Sequence, residues 1–337
     1  MDDPVRLALA FGLALLLSVI ATPLARRLAL RTDFLDHPRD YKQHGRSTPY
    51  LGGSAVMAAW ALSAVAFGAG LGRYWPILAG AVALWAVGTI DDRRGLPISP
   101  RLAVQVGAAA LLWATDLGWD LVGGDLLECG LTVLWVVGLP NAANLMDNQD
   151  GAAAAPAVVA AAGIGIVAAS EGRPLIGAIA LAMAGACAGF LPSNLASPSR
   201  IFLGDGGSAP IGFVLAACTM SVPSPDFGWV AIAAAIPLVG VFVFDTTLVT
   251  VSRLRRGAPV LSGGRDHLSH RLLRWFGSPR RVAAVLAALQ AVSTLTAALL
   301  YGASRTVLVM VALAYLVGAT ALVLMLESAL ATAEPST

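Results

Sequence analysis

Charge is scarce in this chain of 337 residues. Only 12% are Asp, Glu, Lys or Arg, and one lysine, Lys42, stands among arginines. Soluble domains carry roughly 25% charged residues, so a water-facing surface around a core of this size is excluded. No nucleic acid is expected as a partner. Cysteine is rare: Cys129, Cys187 and Cys218 lie in apolar stretches, with no pairing or metal-like spacing. That excludes a disulfide framework and leaves them as small buried hydrophobes. Histidine numbers four. No soluble domain and no internal repeat interrupts the pattern, and the only polar tail is 327–337.

Apolar residues are abundant, at 57% with a mean hydropathy of +0.76. A membrane-crossing helix needs about 20 of them in a row. Eleven runs qualify, near 5–24, 52–70, 74–90, 102–118, 129–146, 153–170, 175–192, 208–222, 229–251, 281–300 and 306–326. The first reads as a transmembrane helix, because no small-residue cleavage site and soluble domain follow it. Several runs are rich in Ala and Gly, which lets helices approach closely in lipid. The expected fold is all-α: a polytopic helical bundle spanning 1–326 as one unit, with 327–337 as a short tail.

The arginines orient it. With alternating loops, one side receives 18 of the 22 basic residues, and the other only Arg6, Arg73, Arg173 and Arg305. The positive-inside rule makes the first side cytoplasmic, with the N-terminus outside and the C-terminus inside. All four histidines, His37, His44, His267 and His270, fall on that same side.

The polar motifs gather there too. Asp91-Asp92 closes the third span, where adjacent carboxylates need a metal, a cation or a phosphate-bound partner; Arg93 and Arg94 are the plain local candidates. The stretch from Asn141 to Gly151 packs Asn144, Asp147 and Asp150 at spacings of three, so they share a face on a helical turn. It contains no basic residue. Such hard oxygens suit Mg²⁺; a calcium loop is not completed, since the closing Glu is absent. Phe202 to Ser208, with Asp205 between glycines, lets backbone approach a ligand, and is otherwise a simple turn. The stretch from Ser262 to Leu272 holds Arg265, His267 and His270, donors suited to phosphate or to anionic lipid heads. Zinc is not expected there, as no further ligand completes a site. Asp245, inside the ninth span, is either functional or the buried partner of Arg253. Lys42 offers a point charge for phosphate.

Together these motifs resemble the polyprenyl-phosphate N-acetylhexosamine-1-phosphate transferase family. The likeness runs in order through Lys42 and His44, Gly52-Gly53, Asp91-Asp92, Asn141 to Gly151, Phe190 to Asn194, Phe202 to Ser208, Asp245-Thr246 and Asp266 to Leu272. It implies that a polyprenyl phosphate attacks the β-phosphorus of a UDP-sugar and releases UMP. It implies Mg²⁺, with Mn²⁺ as a substitute, held by Asp205, Asn144 and Asp150. Asp91, Asp92, Asp205 and His267 would be catalytic, one of the paired aspartates acting as base or nucleophile. Lys42, Asn144, Asp147, Asp150, Asn194, Phe202, Arg265 and His270 would bind substrate, with Phe202 near the uracil. The implied protein is a multi-pass enzyme of the plasma membrane, and a homodimer is left open.

Three positions depart from the family pattern. Asn148 stands where glycine is usual, Gly206 where threonine is usual, and Ser269 where a histidine is usual. The form Asp-His-Leu-Ser-His-Arg-Leu is closer to the GlcNAc-1-phosphate branch than to the MurNAc-pentapeptide branch, which is the alternative. A transporter is a further reading, but transporters place ionisable groups near the bilayer midplane, and only Asp245 approaches that here.

Overall fold

A computed structural model describes residues 3–36, 47–68, 72–121, 124–222, 229–259, 264–301, 303 and 305–331. Lys42, His37 and His44 lie outside these residues. The described residues form thirteen helices: α1 Asp3–Arg31, α2 Gly52–Phe67, α3 Trp75–Arg94, α4 Ile98–Ala114, α5 Asp125–Met146, α6 Ala154–Ser170, α7 Pro174–Asn194, α8 Asp205–Met220, α9 Trp229–Leu238, α10 Gly240–Arg255, α11 Leu268–Phe276, α12 Pro279–Leu300 and α13 Arg305–Ala331. One antiparallel pair, β1 Leu35–Asp36 with β2 Thr48–Pro49, is the only strand structure among them.

Each of the eleven apolar runs is helical over most of its described length, and the protein is an all-α membrane protein. Helices α1, α5, α7 and α12 are each long and apolar enough to cross a bilayer. The bundle is built around α8, in which every residue from Gly206 to Met220 except Ala209 is buried. A helix apolar on all sides belongs inside a bundle. Helices α3 and α5 pack along it, while α7 packs on α1 and α6. The outer helices turn large side chains outward, as with Leu16 and Ile20 on α1 and Leu295 and Leu299 on α12. That is the lipid-facing pattern.

The ninth run differs from its expected form. It is one apolar stretch in sequence but two helices in space, α9 and α10, meeting at 93°. A break within lipid strands backbone groups that water cannot reach. Here α12 supplies their partners. Gln290, fully buried, donates Nε2 to the carbonyls of Leu238 at 2.9 Å and Pro237 at 3.3 Å. Its Oε1 accepts the N–H of Val241 at 3.0 Å. Ser293 adds a bond to the Pro237 carbonyl at 2.7 Å. One side-chain amide thus stands in for a missing peptide group.

Against this bend lies an apolar cavity of about 550 Å³ between α9, α10 and α13, lined by residues that include Phe244, Thr247, Val251 and Leu316.

Candidate active site

The carboxylates come together where three helices end, all of them past the apolar runs. Asp92, in the last turn of α3, accepts the backbone N–H of Asp205 at 2.8 Å and of Gly206 at 3.0 Å. These are the first two amides of α8, which have no partner inside their own helix. The chain enters α8 through Gly204 at φ 74°, a left-handed conformation that glycine adopts without strain. A Cβ at Gly204 would also press against the Asp92 carboxylate. Asp92 is therefore a cap supplied from another helix.

Asp91 is buried and turns the other way. Its Oδ1 accepts the Leu96 N–H, and its Oδ2 pairs with Arg101. The same guanidinium nitrogen reaches Asp205 Oδ2 at 3.0 Å. Arg93 and Arg94, the sequence-adjacent candidates, make neither contact. Sequence reading passed over Arg101. The available signal was an arginine in the first turn of α4, just beyond a double aspartate.

Asp205 Oδ1 accepts from Asn144 Nδ2 at 2.6 Å, and the same amide reaches Ser208 Oγ at 3.2 Å. Amide N and O are assigned from such networks, and a cation at Asp205 would call for the other face of Asn144. Asp147 caps the end of α5 and takes a bond from the Gly204 N–H.

Burial and mutual repulsion raise the pKa values of Asp92, Asp147 and Asp205. Burial, then the Asp205 charge, pushes Asp92 up to about 7. Burial and the hydrogen-bonded Asp91 push Asp205 up to about 6. Burial, with Asp205, Asp92 and Asp150 near, drives Asp147 well above the carboxylate range. Asp91 stays below it, because its bonds from Asp205, Leu96 and Arg101 outweigh burial. The Tyr50 phenol is raised too, by burial and then by the nearby aspartates.

That surplus of negative charge fits a divalent cation. Among the described residues no three His, Cys, Asp or Glu side chains form a complete cage. Mg²⁺ rarely uses one: it takes one or two carboxylates and completes its shell with water and substrate phosphate. Asp205 with the Asn144 amide oxygen matches that demand. Asp150 lies in the same loop, near enough for its charge to act on Asp147.

A second group forms at α10 and α11. Asp245, fully buried, pairs through Oδ2 with His267 Nδ1 at 2.8 Å and through Oδ1 with the Leu268 N–H at 2.6 Å. It caps α11 as Asp92 caps α8. Of the two readings of Asp245, the pair with Arg253 does not hold. Arg253 instead grips Asp266 with two bonds of 2.9 Å, and Arg256 adds a third at 2.8 Å. Eight residues along α10 set the two about 12 Å apart, and the loop after α10 brings closer partners to both. Burial alone would raise Asp266; the Arg253 guanidinium overrides it and holds the carboxyl down to about 2.

With Asp245 on Nδ1, the Nε2 of His267 is the nitrogen left for a ligand. The His270 ring lies 6.0 Å away, and its Nδ1 is buried without a protein partner. Burial and the His267 charge lower its pKa. Arg265 is exposed, and its charge is felt at His270.

Other expected residues serve the frame. Asn194, 4% exposed, accepts the Gly151 N–H at 2.7 Å and donates to the Ile201 carbonyl at 3.1 Å. Both ends of its amide hold backbone. Phe202 packs 6.0 Å from the Tyr50 ring, and its backbone pairs with Pro49 and Gly52. Gln149, not singled out from sequence, buries both amide atoms without a protein partner. Unpaired buried polar atoms cost about 1–3 kcal/mol each, so a ligand that satisfies them gains.

Comparison with known proteins matches residues 74–222 to a family model described as glycosyl transferase family 4. That stretch contains the whole carboxylate cluster. A relative from Bacillus subtilis (strain 168), "Probable undecaprenyl-phosphate N-acetylglucosaminyl 1-phosphate transferase", is 31% identical over 84% of this chain and 81% of its own. One from Mycolicibacterium smegmatis, "Decaprenyl-phosphate N-acetylglucosaminephosphotransferase", is 32% identical over 82% of this chain and 77% of its own. One from Escherichia coli (strain K12), "Undecaprenyl-phosphate alpha-N-acetylglucosaminyl 1-phosphate transferase", is 27% identical over 79% of this chain and 76% of its own.

Proposed function

The chain belongs to glycosyl transferase family 4, and from that premise we propose that it transfers GlcNAc-1-phosphate from UDP-GlcNAc to a polyprenyl phosphate, releasing UMP. The observation that carries the reading is the joining of Asp91, Asp92 and Asn144 about Asp205, with Arg101 bridging Asp91 to Asp205 and one bond tying the loop after α5 to the histidine-bearing helix. A phosphate oxygen of the lipid forms a bond to the β-phosphorus as the bond to the α-phosphate oxygen breaks. Both partners are anionic, so the barrier is mainly one of charge and alignment.

The residues divide that work. Asp205, with Asn144 and Asp150, would hold Mg²⁺, which when bound neutralises phosphate charge. Arg101 keeps Asp91 and Asp205 together despite their like charge. Asp92 fixes the start of α8 and hence the position of Asp205. His267, oriented by Asp245, offers Nε2 to a phosphate oxygen, with His270 and Arg265 beside it. Lys42 is assigned a phosphate contact by motif position alone. Gln149 offers a buried amide to the nucleotide sugar.

Further support comes from the cavity beside α10. It is apolar, and its lining residues Phe244, Thr247 and Val251 flank Asp245 along the same helix. A prenyl chain lodged there would bring its phosphate toward His267. The arginine distribution favours eleven crossings, with the N-terminus outside and the site facing the cytoplasm, where UDP-sugars are made.

Purified protein, given polyprenyl phosphate, Mg²⁺ and a panel of UDP-sugars, should release UMP with UDP-GlcNAc. Asp205→Ala should not. No release with any donor would sink the reading, and preference for UDP-MurNAc-pentapeptide would transfer it to that branch.

A further inference from the structure

Two of the three departures from the family pattern touch each other. Ser269 Oγ donates to Asn148 Oδ1 at 2.6 Å. Ser269 is 1% exposed and lies in the first turn of α11, between His267 and His270. Asn148 lies in the loop after α5, between Asp147 and Asp150. The other end of its amide donates to the Leu145 carbonyl at 2.8 Å, in the last turn of α5. That carbonyl has no partner further along its own helix. Asn148 is thus a bracket. One end closes α5 and the other receives α11.

The usual residues could not make this bracket. Glycine at 148 has no side chain to offer, and an imidazole at 269 is far bulkier than the buried hydroxyl that fits there. The two replacements make sense together and not singly. Polar groups without protein partners lie on both sides of the bond: the Gln149 amide next to Asn148, and Nδ1 of His270 next to Ser269. The third departure is local by contrast. A Cβ at Gly206 would collide with the Thr89 side chain, which already fills that space from α3.

We propose that Asn148 and Ser269 are a matched positioning pair that holds the histidine helix against the aspartate loop. The proposal rests on the reaction proposed above. The acidic group and the histidine group sit on elements far apart in sequence, and among the described residues the Ser269–Asn148 bond joins loop to helix directly. Phosphoryl transfer is sensitive to such placement, since a misplacement of about 1 Å can cost on the order of 100-fold. The pair touches no reacting atom and acts through His267, His270, Asp147 and Asp150.

The test is a double-mutant cycle in purified full-length protein, reading UMP release with UDP-GlcNAc and polyprenyl phosphate. Asn148→Ala and Ser269→Ala should each lower kcat by about 10-fold, with a smaller change in KM. The double variant should be no worse than either single one, as expected for residues that act through one bond. Ser269→Thr, which keeps the hydroxyl, should recover most of the rate. Asn148→Gly with Ser269→His, the usual family pair, should exceed Ser269→His alone. Multiplicative losses in the cycle, or a paired swap no better than the single one, would overturn the proposal. So would a loss in Ser269→Ala explained wholly by a lowered melting temperature. No UMP from the unaltered protein would instead overturn the reading of the reaction, and the pair's role with it.

Discussion

Asp92 is hydrogen-bonded to the backbone of Asp205, across 113 positions of chain, and so one acid fixes where another stands. A carboxylate that serves as a cap needs only acceptor oxygens; one that serves as a base needs its charge.

The two roles predict different variants. Asp92→Asn keeps one acceptor and should retain part of the UMP release, while Asp92→Ala should lose it, with about 1 kcal/mol of stability lost with the cap. Equal and complete loss in both would favour a proton-transfer role for Asp92. The measurement is kcat beside a melting curve for each.

Asp245→Asn should leave the packing near α11 intact but remove the negative charge that orients His267. A neutral amide can present either face, and the tautomer is no longer fixed. Loss of one positioned general acid–base or phosphate contact is worth roughly 100-fold. We expect kcat to fall by that order and the pH–rate profile to shift, with the melting temperature little changed.

Gln290→Leu keeps volume and removes three hydrogen bonds to backbone at the bend of α9 and α10. Each stranded backbone group in an apolar setting costs about 1–3 kcal/mol. The protein in detergent should melt several degrees lower. Gln290→Glu should fall between, since an acceptor for Val241 survives. An unchanged melting temperature in Gln290→Leu would show that other groups satisfy the break.

Asp266 gives a pH dependence. Its folded carboxyl is held at about 2, while an unfolded one titrates near 4. The pair with Arg253 therefore stabilises the fold fully above about pH 4, and the contribution is lost as pH falls from there toward 2. Asp266→Asn lacks it at every pH and leaves Arg253 buried without its ion partner, at a cost of roughly 3–5 kcal/mol. The melting difference between the two proteins should be flat from pH 8 to 5 and shrink below 4.

The apolar runs were legible because hydropathy reports burial in lipid directly, and all eleven are helical over most of their described length. The bend at 238–240 was not, because apolar composition continues through it. Its only sign was Pro237 and Gly240 on either side, and the residue that makes it tolerable, Gln290, lies some fifty positions away. The acidic motifs were legible as chemistry but not as architecture. Nothing in Asp91-Asp92 told that one would turn to Arg101 and the other to α8. Asp245 was marked by its setting in an apolar run, and of its two readings the pair with Arg253 falls, because the chain's return brings His267 to Asp245 and Asp266 to Arg253. Helix α11 was missed as an element because it is short and amphipathic rather than one of the long apolar runs.

The cap that Asp92 places on α8 has a consequence in time as well as in space. The chain enters the bilayer from its N-terminus, so Asp91 and Asp92 are made long before Asp205, and Asn148 long before Ser269. Until α8 arrives, the paired acids wait with no amides to bind; until α11 arrives, the loop after α5 has no latch. The reactive centre is assembled last, by segments made far apart, and a nascent chain halted after α7 holds most of the membrane helices but no catalyst.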